Sequence, residues 1–282
     1  MDLVEEFEAA RPRLLSLAHR IVGSFHDAED AVQAAWLRAQ SADTAQLKNP
    51  DGWFTTVTAR LCLDQLRTRH RRGEVALTAD QLSSAQLATD EEFLRREDVS
   101  RALLVLLAEL SPAQRVAYVL HDLFALPFAD VATVLETTPA SAKKLASRAR
   151  GRLRATDPAD ARESAHHAEI VEAFLDASRG GDMRRLVTLL APDVVRTADA
   201  RLLPPGAATE VVGAAAVAEE TRSFLDRIRV TVPVLVGGIP GAIIAPGGHP
   251  YAAIGLRISD GLIVSIEITP YEPGVLSVLA SA

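Results

Sequence analysis

Residues 137–150, TTPASAKKLASRAR, hold four basic side chains and no acid, in a chain of 282 residues with a formal net charge of −7. Widened to 138–154, the run has six basic groups and still no acid, and residues 60–72 hold five arginines with one aspartate. Cations without local neutralisation suit phosphate. Their affinity comes from counterion release, with a log–log salt slope of roughly −0.9 per neutralised charge. An acidic total does not exclude nucleic acid, because fields are screened over about 8 Å at physiological salt. Thr138 then Pro139 reads as an N-cap followed by proline at the first helical position. A preceding short helix at 128–135 makes this the second helix of a helix-turn-helix. Its N-terminal residues Ala140, Ser141, Lys143 and Lys144 then suit base edges, and Ser147, Arg148, Arg150 and Arg152 suit phosphates. A second stripe, Arg60, Arg67 and Arg71, falls at i, i+7 and i+11, with Asp64 placed to pair with Arg60.

Other chemistry is sparse. His166-His167 are adjacent, so on a helix they diverge and make a poor metal pair. No metal site and no cofactor is expected. Cys62 is the single cysteine, which excludes an internal disulfide and reads as a core thiol. GGIPG and PGG are turn punctuation, without the strand–loop–helix context of a phosphate loop. Asp199, Tyr251, Arg257, Glu267 and Tyr271 are the candidates to line a pocket in the last third. The plainer reading is a solvent-facing sheet side with an Arg257–Glu267 diagonal pair. No acid–base pair is evident, so the chain is not expected to be an enzyme.

These residues need elements to hold them. In DAEDAVQAAWLRAQ, Ala28, Ala31, Val32, Ala35 and Ala39 follow helical spacing. Asn49-Pro50 opens a helix to about residue 72, with Trp53, Val57 and Leu61 expected inward. Residues 73–96 lack steady periodicity, carry most of the seven acids of 74–98, and read as a linker. Ser111-Pro112 opens another helix, with Val116, Val119 and Leu120 inward. From about residue 158, helices at 159–179, 182–191 and 213–227 combine with strands in VVRTA, RVTVPVLV, AIIA, YAAIGLRIS and LIVSIEIT. In the last pair, Ile254, Leu256 and Ile258 alternate, as do Val264, Ile266 and Ile268. Matching those faces needs Ile258 opposite Val264, because a strict two-residue turn at Asp260-Gly261 would misalign them. The layout is an α+β domain, helices on an antiparallel sheet.

Hydrophobic residues are 48% and charged residues 24%, a soluble composition. The acidic start MDLVEEFEAARPR is no signal peptide. Prolines and glycine pairs interrupt the apolar stretch 230–256, which reads as strands and not as a membrane span. A cytoplasmic location without a membrane partner is expected.

DAEDAVQAAWLRA, NPDGWFTTVTARLCLDQLRTRHRR and LSPAQRVAYVLHDLFALPFADVATVLETTPASAKKLASRARGRLR together resemble the sigma-70 family, in particular the extracytoplasmic function sigma factors. The remainder resembles a SnoaL-like domain of the nuclear transport factor 2-like cone fold, and the fusion is similar to the SigJ type of sigma factor. The resemblance implies two all-α domains, region 2 at 1–72 and region 4 at 97–155. An acidic linker at 73–96 would join them, and an α+β regulatory domain would follow at 158–282. It implies core RNA polymerase as partner through Asp27, Glu29, Asp30, Gln33, Leu37 and Arg38. It implies promoter DNA as the second partner. Lys48, Asn49, Arg60, Arg67, Arg69, Arg71 and Arg72 would lie on the −10 element and the helix 139–154 on the −35 element. A small-molecule ligand in the third domain is allowed for. In the free chain, the third domain would hold the two DNA-reading domains together until polymerase separates them. The family's WLPEP-like linker motif and DGGGK-like loop are absent here. ADARLLPPGAATEVVG keeps Asp199 without the glycines, and Leu145 stands where many relatives have arginine. Two other classes fit parts of the pattern: a ligand-sensing helix-turn-helix regulator, and a SnoaL-like isomerase or cyclase.

Overall fold

The computed structural model describes residues 3–41, 49–72, 77–153 and 161–277. The chain forms two compact units, residues 1–77 with 83–153, and residues 78–82 with 154–282.

The first unit is helical. Helices α1 (Leu3–Val22), α2 (Phe25–Ser41) and α3 (Pro50–Arg71) pack on one another. All five of the apolar positions spaced along α2 are buried, Ala28, Ala31, Val32, Ala35 and Ala39. In α3 the Asn49 side chain accepts from Gly52 N at 3.0 Å, and Pro50 supplies the first turn. The buried stripe of α3 is Phe54, Thr55, Thr58, Ala59, Cys62 and Leu63. Trp53, Val57 and Leu61, expected inward, are only half-buried. The reason is that α3 is covered from two sides, by α1 and α2 and also by helices farther along the chain, so the buried arc is wide and centred one residue on.

Residues 73–96 are not all linker. Helix α4 (Ser84–Arg96) starts at a capping box between Ser83 and Gln86 and buries Asp90, Phe93 and Leu94. Phe93 meets His19 and Phe25 at ring separations of 4.5 and 5.0 Å, and Asp90 Oδ1 accepts from Phe25 N at 2.6 Å. Its apolar residues are too few to show a period in sequence. Helices α5 (Arg101–Ala108), α6 (Pro112–Tyr118), α7 (Phe128–Leu135) and α8 (Pro139–Leu153) complete the unit. Glu136 ends α7 in the left-handed conformation, and a three-residue turn leads into α8.

The second unit layers α9 (Ala161–Gly180), α10 (Met183–Leu189), α11 (Ala214–Arg222) and α12 (Leu225–Arg229) with one seven-stranded sheet. Its strands are β1 (Leu190–Ala198), β2 (Glu210–Val212), β3 (Thr231–Val236), β4 (Ile239–Ile244), β5 (Ala252–Ser259), β6 (Leu262–Pro270) and β7 (Leu276–Ser277), in the order β2-β1-β6-β5-β4-β3-β7. The sheet is mixed, because β1 runs parallel to β6, where an antiparallel sheet was expected. The β5–β6 turn has two residues, Asp260 and Gly261, both at positive φ. Ile258 therefore faces Ile263, not Val264. A one-residue register shift next to Arg257 then restores Leu256 opposite Ile266 and Ile254 opposite Ile268. The bulge resolves the conflict between turn and apolar phase. Within this unit Ala79 N donates to Pro250 O at 3.1 Å, so the short segment 78–82 lies against the β4–β5 connection.

Candidate functional site

Helix α8 is built as a presented surface. Ala142, Ala146, Ala149 and Leu153 are its buried face, which packs on α6 and α7. Thr138 Oγ1 accepts from Ser141 N at 3.2 Å and fixes the first turn. Ala140, Ser141, Lys143, Lys144, Ser147 and Arg148 are exposed, as is Arg152. Arg150 differs: it is half-buried and donates to Asp122 at 2.7 Å. Small alanines inward and long cations outward let the helix sit close to its partners while its outer side reaches a ligand.

Helix α3 is only partly presented. Asn49, Arg67, Arg71 and Arg72 are exposed. Asp64 lies 3.8 Å from Arg67, not against Arg60 as expected, because Arg60 is engaged elsewhere. Arg60 Nη2 donates to Thr133 O on α7 at 2.7 Å. Arg69 donates to Val22 O at 3.1 Å and pairs with the Asp27 carboxylate. Two residues expected on different surfaces, Arg69 on DNA and Asp27 on polymerase, thus hold each other. Lys48 lies outside the described residues. On α2, Asp30, Gln33, Leu37 and Arg38 are exposed and Glu29 half-buried, and Leu37 is 57% exposed despite its size.

The first three helices and the helix-turn-helix half meet along a seam. There α3 packs on α6 and α7. Arg115, on α6, is 7% exposed and donates through Nε to Arg20 O at 3.1 Å. Burial and the neighbouring Arg69 push its guanidinium down to about 9. Gly23, at φ +84°, leaves room for it: a Cβ there would sit 3.1 Å from Arg115 Nη2. Arg20 in turn lies over the Phe124 ring at 5.7 Å, and burial lowers its pKa as well. Burial raises the Cys62 thiol, which lies close enough to Arg115 and Asp27 to feel both charges. Arg115 was not anticipated as functional. Its signal in sequence is a charge four residues before Val119, in phase with the buried face of its helix.

In the second unit a cavity of about 90 Å³ is lined by Phe174, Leu202, Val217, Ile244, Ile254 and Ile266 among others. None of Asp199, Tyr251, Arg257, Glu267 and Tyr271 lines it. Asp199 is paired with Arg201 at 2.7 Å, which holds its carboxyl down at about 2. Arg257 and Glu267 are on the exposed phase of β5 and β6 and do not pair with each other. Tyr271 is buried, and Tyr251 is half-buried with its ring against Arg227. The polar groups of the cavity are instead Arg196, Glu220, Thr221 and Arg227. Arg196 Nε donates to Glu220 at 2.8 Å, and its Nη1 reaches the carbonyls of Ala208 and Thr209. Arg196 was legible: it occupies the buried phase of β1 with Val194 and Ala198. No helix among the described residues is long and apolar enough to cross a membrane, and no group of His, Cys, Asp or Glu among them could hold a metal.

A capped cationic helix and a separate arginine-bearing helix, followed by an α+β unit, define a multidomain protein with two basic elements in its helical part. Sigma-70 region 2 matches residues 7–72 and Sigma-70 region 4 matches residues 100–153. The ECF RNA polymerase sigma factor SigJ of Mycobacterium tuberculosis is 40% identical over 274 residues, 91% of this chain and 86% of SigJ. The same species' "Probable ECF RNA polymerase sigma factor SigI" is 32% identical over 279 residues, 97% of this chain and 94% of that one. The crystal structure of Mycobacterium tuberculosis SigJ aligns with 36% identity over 95% of this chain and 96% of its own, at a TM-score of 0.46. The chain belongs to the extracytoplasmic function sigma factors of the sigma-70 family. It is an RNA polymerase sigma factor.

Proposed function

We propose that the free chain is a closed sigma factor whose two promoter-reading parts are docked on each other and are separated when core RNA polymerase binds. Helix α2, through Asp27, Glu29, Asp30, Gln33, Leu37 and Arg38, engages polymerase. Helix α3 with Asn49, Arg60, Arg67, Arg69, Arg71 and Arg72 serves the −10 element. Helix α8 with Ala140, Ser141, Lys143, Lys144, Ser147, Arg148 and Arg150 serves the −35 element, and the second unit modulates initiation in cis.

The observation that carries this reading is the seam. Two arginines of α3, Arg60 and Arg69, are occupied by Thr133 O, Val22 O and Asp27, while α8 stays exposed. Strand opening disrupts stacking of about 1.4 kcal/mol per step. Arginines on single-stranded backbone and captured bases offset that cost, and they work only once freed. Docking of polymerase on α2 competes for Asp27 and so releases Arg69. The seam joins the two halves directly within the first unit.

Run-off transcription with core polymerase tests this on the whole chain. A promoter-dependent product, strengthened when Arg115 is replaced by glutamate to open the seam, is expected. No product with either form would overturn it. A ligand-sensing regulator would instead bind duplex tightly by itself and leave polymerase unretained in a pull-down.

A further inference from the structure

The cavity of the second unit contains two arginines with different circumstances. Arg196 is 3% exposed and its charge is cancelled by Glu220. Arg227 is half-buried and forms no ion pair among the described residues. It donates one Nη1 bond to Leu202 O. Its guanidinium carbon stands 5.6 Å from the Phe224 ring and 5.6 Å from the Tyr251 ring. The two rings hold the cation in place by cation–π attraction but do not neutralise it. Apart from Thr221 the rest of the wall is apolar, with Phe174, Ile254 and Ile266. A pocket of this composition carries one net positive charge in a mostly hydrocarbon surface.

From this arrangement we infer that the cavity binds a small apolar monocarboxylate. Its carboxylate takes the free N–H groups of Arg227, and its hydrocarbon body fills the space toward Ile254 and Ile266. An arginine fork matches a carboxylate in two parallel bonds, and its strength rises where water is excluded. The Arg196–Glu220 pair contributes no net charge and closes the cavity on a side where an unpaired charge would be costly. Size limits the body. At about 90 Å³ the cavity is smaller than the apolar cavity of about 150 Å³ that takes up benzene, so a short branched chain is the upper bound. Glu220, already bonded to Arg196, disfavours a dianion. The inference supplies a ligand class for the in-cis modulation proposed above, and it rests on that reading only for its consequence in transcription.

Titration of the full-length chain with 2-methylpropanoate and with 3-methylbutanoate, followed by calorimetry and saturation-transfer NMR, tests it. 3-Methylbutan-1-ol serves as the uncharged counterpart of 3-methylbutanoate. The expected result is binding of both acids at least tenfold tighter than the alcohol. Arg227→Met, which keeps the apolar stem, should remove that tenfold advantage, and Arg227→Lys should restore part of it. Ile254→Trp, which fills the cavity, should abolish binding of acid and alcohol alike. Acid binding that is unchanged in Arg227→Met, or no binding of either acid by the native chain, would overturn the assignment. Should Arg227→Met fail to fold, loss of acid binding in Ile254→Trp with an unchanged Arg227 decides the location, and salt dependence of the native affinity decides the charge. Promoter-dependent transcription by the same preparation is scored separately, so failure of the ligand assignment and failure of the sigma-factor reading give different results.

Discussion

Where α1 and α3 meet α6, α7 and the segment between those two, the contacts that can be named are guanidinium groups on carbonyls and on a ring. Arg60 reaches Thr133 O, Arg115 reaches Arg20 O, and Arg20 covers Phe124. Where α9 meets the sheet, the core is hydrocarbon, edged by one guanidinium contact, Arg179 Nη2 donating to Thr231 O at 2.6 Å. Val171, Phe174 and Leu175 join Ile244, Ile254, Ile263 and Ile266 in one buried cluster. The two surfaces differ in what separation would cost. Exposing an apolar core forfeits about 25 cal/mol per Å². Opening a seam that buries a cation without a carboxylate at hydrogen-bonding distance returns that cation to water, so part of the loss is recovered. Arg115 is such a cation, and its lowered pKa expresses the same penalty. A guanidinium keeps its proton at neutral pH, so the penalty is met by a weaker seam and not by neutralisation. On the function proposed above, one unit has a core that stays shut and the other has halves that come apart.

The largest expected effect tests the permanent side of the comparison. Ile263 is fully buried between sheet and helices. Ile263→Ala should lower the stability of the α+β unit by about 2–5 kcal/mol. Urea denaturation followed by near-UV circular dichroism measures it. A loss below 1 kcal/mol would mean that the apolar layer yields as readily as the polar seam, and the contrast would fail.

The next effects test the separable side. Gly23→Val forces a β-branched residue into positive φ and places its Cβ against Arg115, at a cost of about 1–3 kcal/mol. The seam should open more often. Cys62, the single cysteine, reports this without added labels, because it is buried beside Arg115. Its alkylation rate should rise about tenfold or more for a penalty near 1.4 kcal/mol. Arg115→Met should slow alkylation several-fold by removing a buried charge while keeping its bulk. An identical rate in all three proteins would show that closure does not depend on these residues.

Much of this layout was readable before any coordinates. The buried alanines of α2, the boundaries of α7, the Thr138 cap and the exposure of Lys143 and Lys144 all follow from local rules of spacing and capping, and local rules suffice where one helix face meets one partner. The failures have a common cause. Trp53, Val57 and Leu61 were placed inward because one apolar stripe was assumed, but α3 is covered on two sides. Arg60 was expected to pair with Asp64, whereas the partners of Arg60 and Arg69, Thr133 and Asp27, are 73 and 42 residues away in the chain. Helix α4 was missed because its burial depends on His19 and Phe25, which are remote in sequence. Of the pocket candidates, Arg257 and Glu267 came from the exposed phase of β5 and β6, Asp199 is held by Arg201, and Tyr251 and Tyr271 flank those two strands. The cavity's own charges, Arg196 and Arg227, come from β1 and a five-residue helix. Even the hairpin error was one of combination: turn length and apolar phase were each read correctly, and the bulge that reconciles them is a property of neither.

A smaller effect sharpens the comparison within α3 itself. Arg60→Ala removes one hydrogen bond of about 1 kcal/mol from the seam and should speed Cys62 alkylation about fivefold. Arg67→Ala removes only a wide, exposed contact with Asp64 and should leave that rate unchanged. Both should weaken promoter binding in the presence of core polymerase, with a salt slope reduced by about one unit. Equal alkylation rates for the two variants would show that Arg60 is no part of the seam.

The smallest effect belongs to the exposed face of the α+β unit. Asp199 accepts from Arg201 N at 2.9 Å and from the Arg201 side chain, which lowers its pKa to about 2. A carboxylate whose pKa is lower in the folded state stabilises that state only while ionised. Its contribution is therefore complete above the unfolded value near 3.9 and disappears as pH falls through about 2. The pair lies on the surface, so the change should be local, a loosening of the short 3₁₀ turn Ala200–Leu202. Carbon-detected NMR titration of the Asp199 carboxyl measures the value directly, and Arg201→Gln should raise it toward the ordinary carboxylate range. If Arg201→Gln left the Asp199 value where it is, the source of the shift would have to be the turn's backbone N–H alone, and the side-chain pair would be an incidental surface contact.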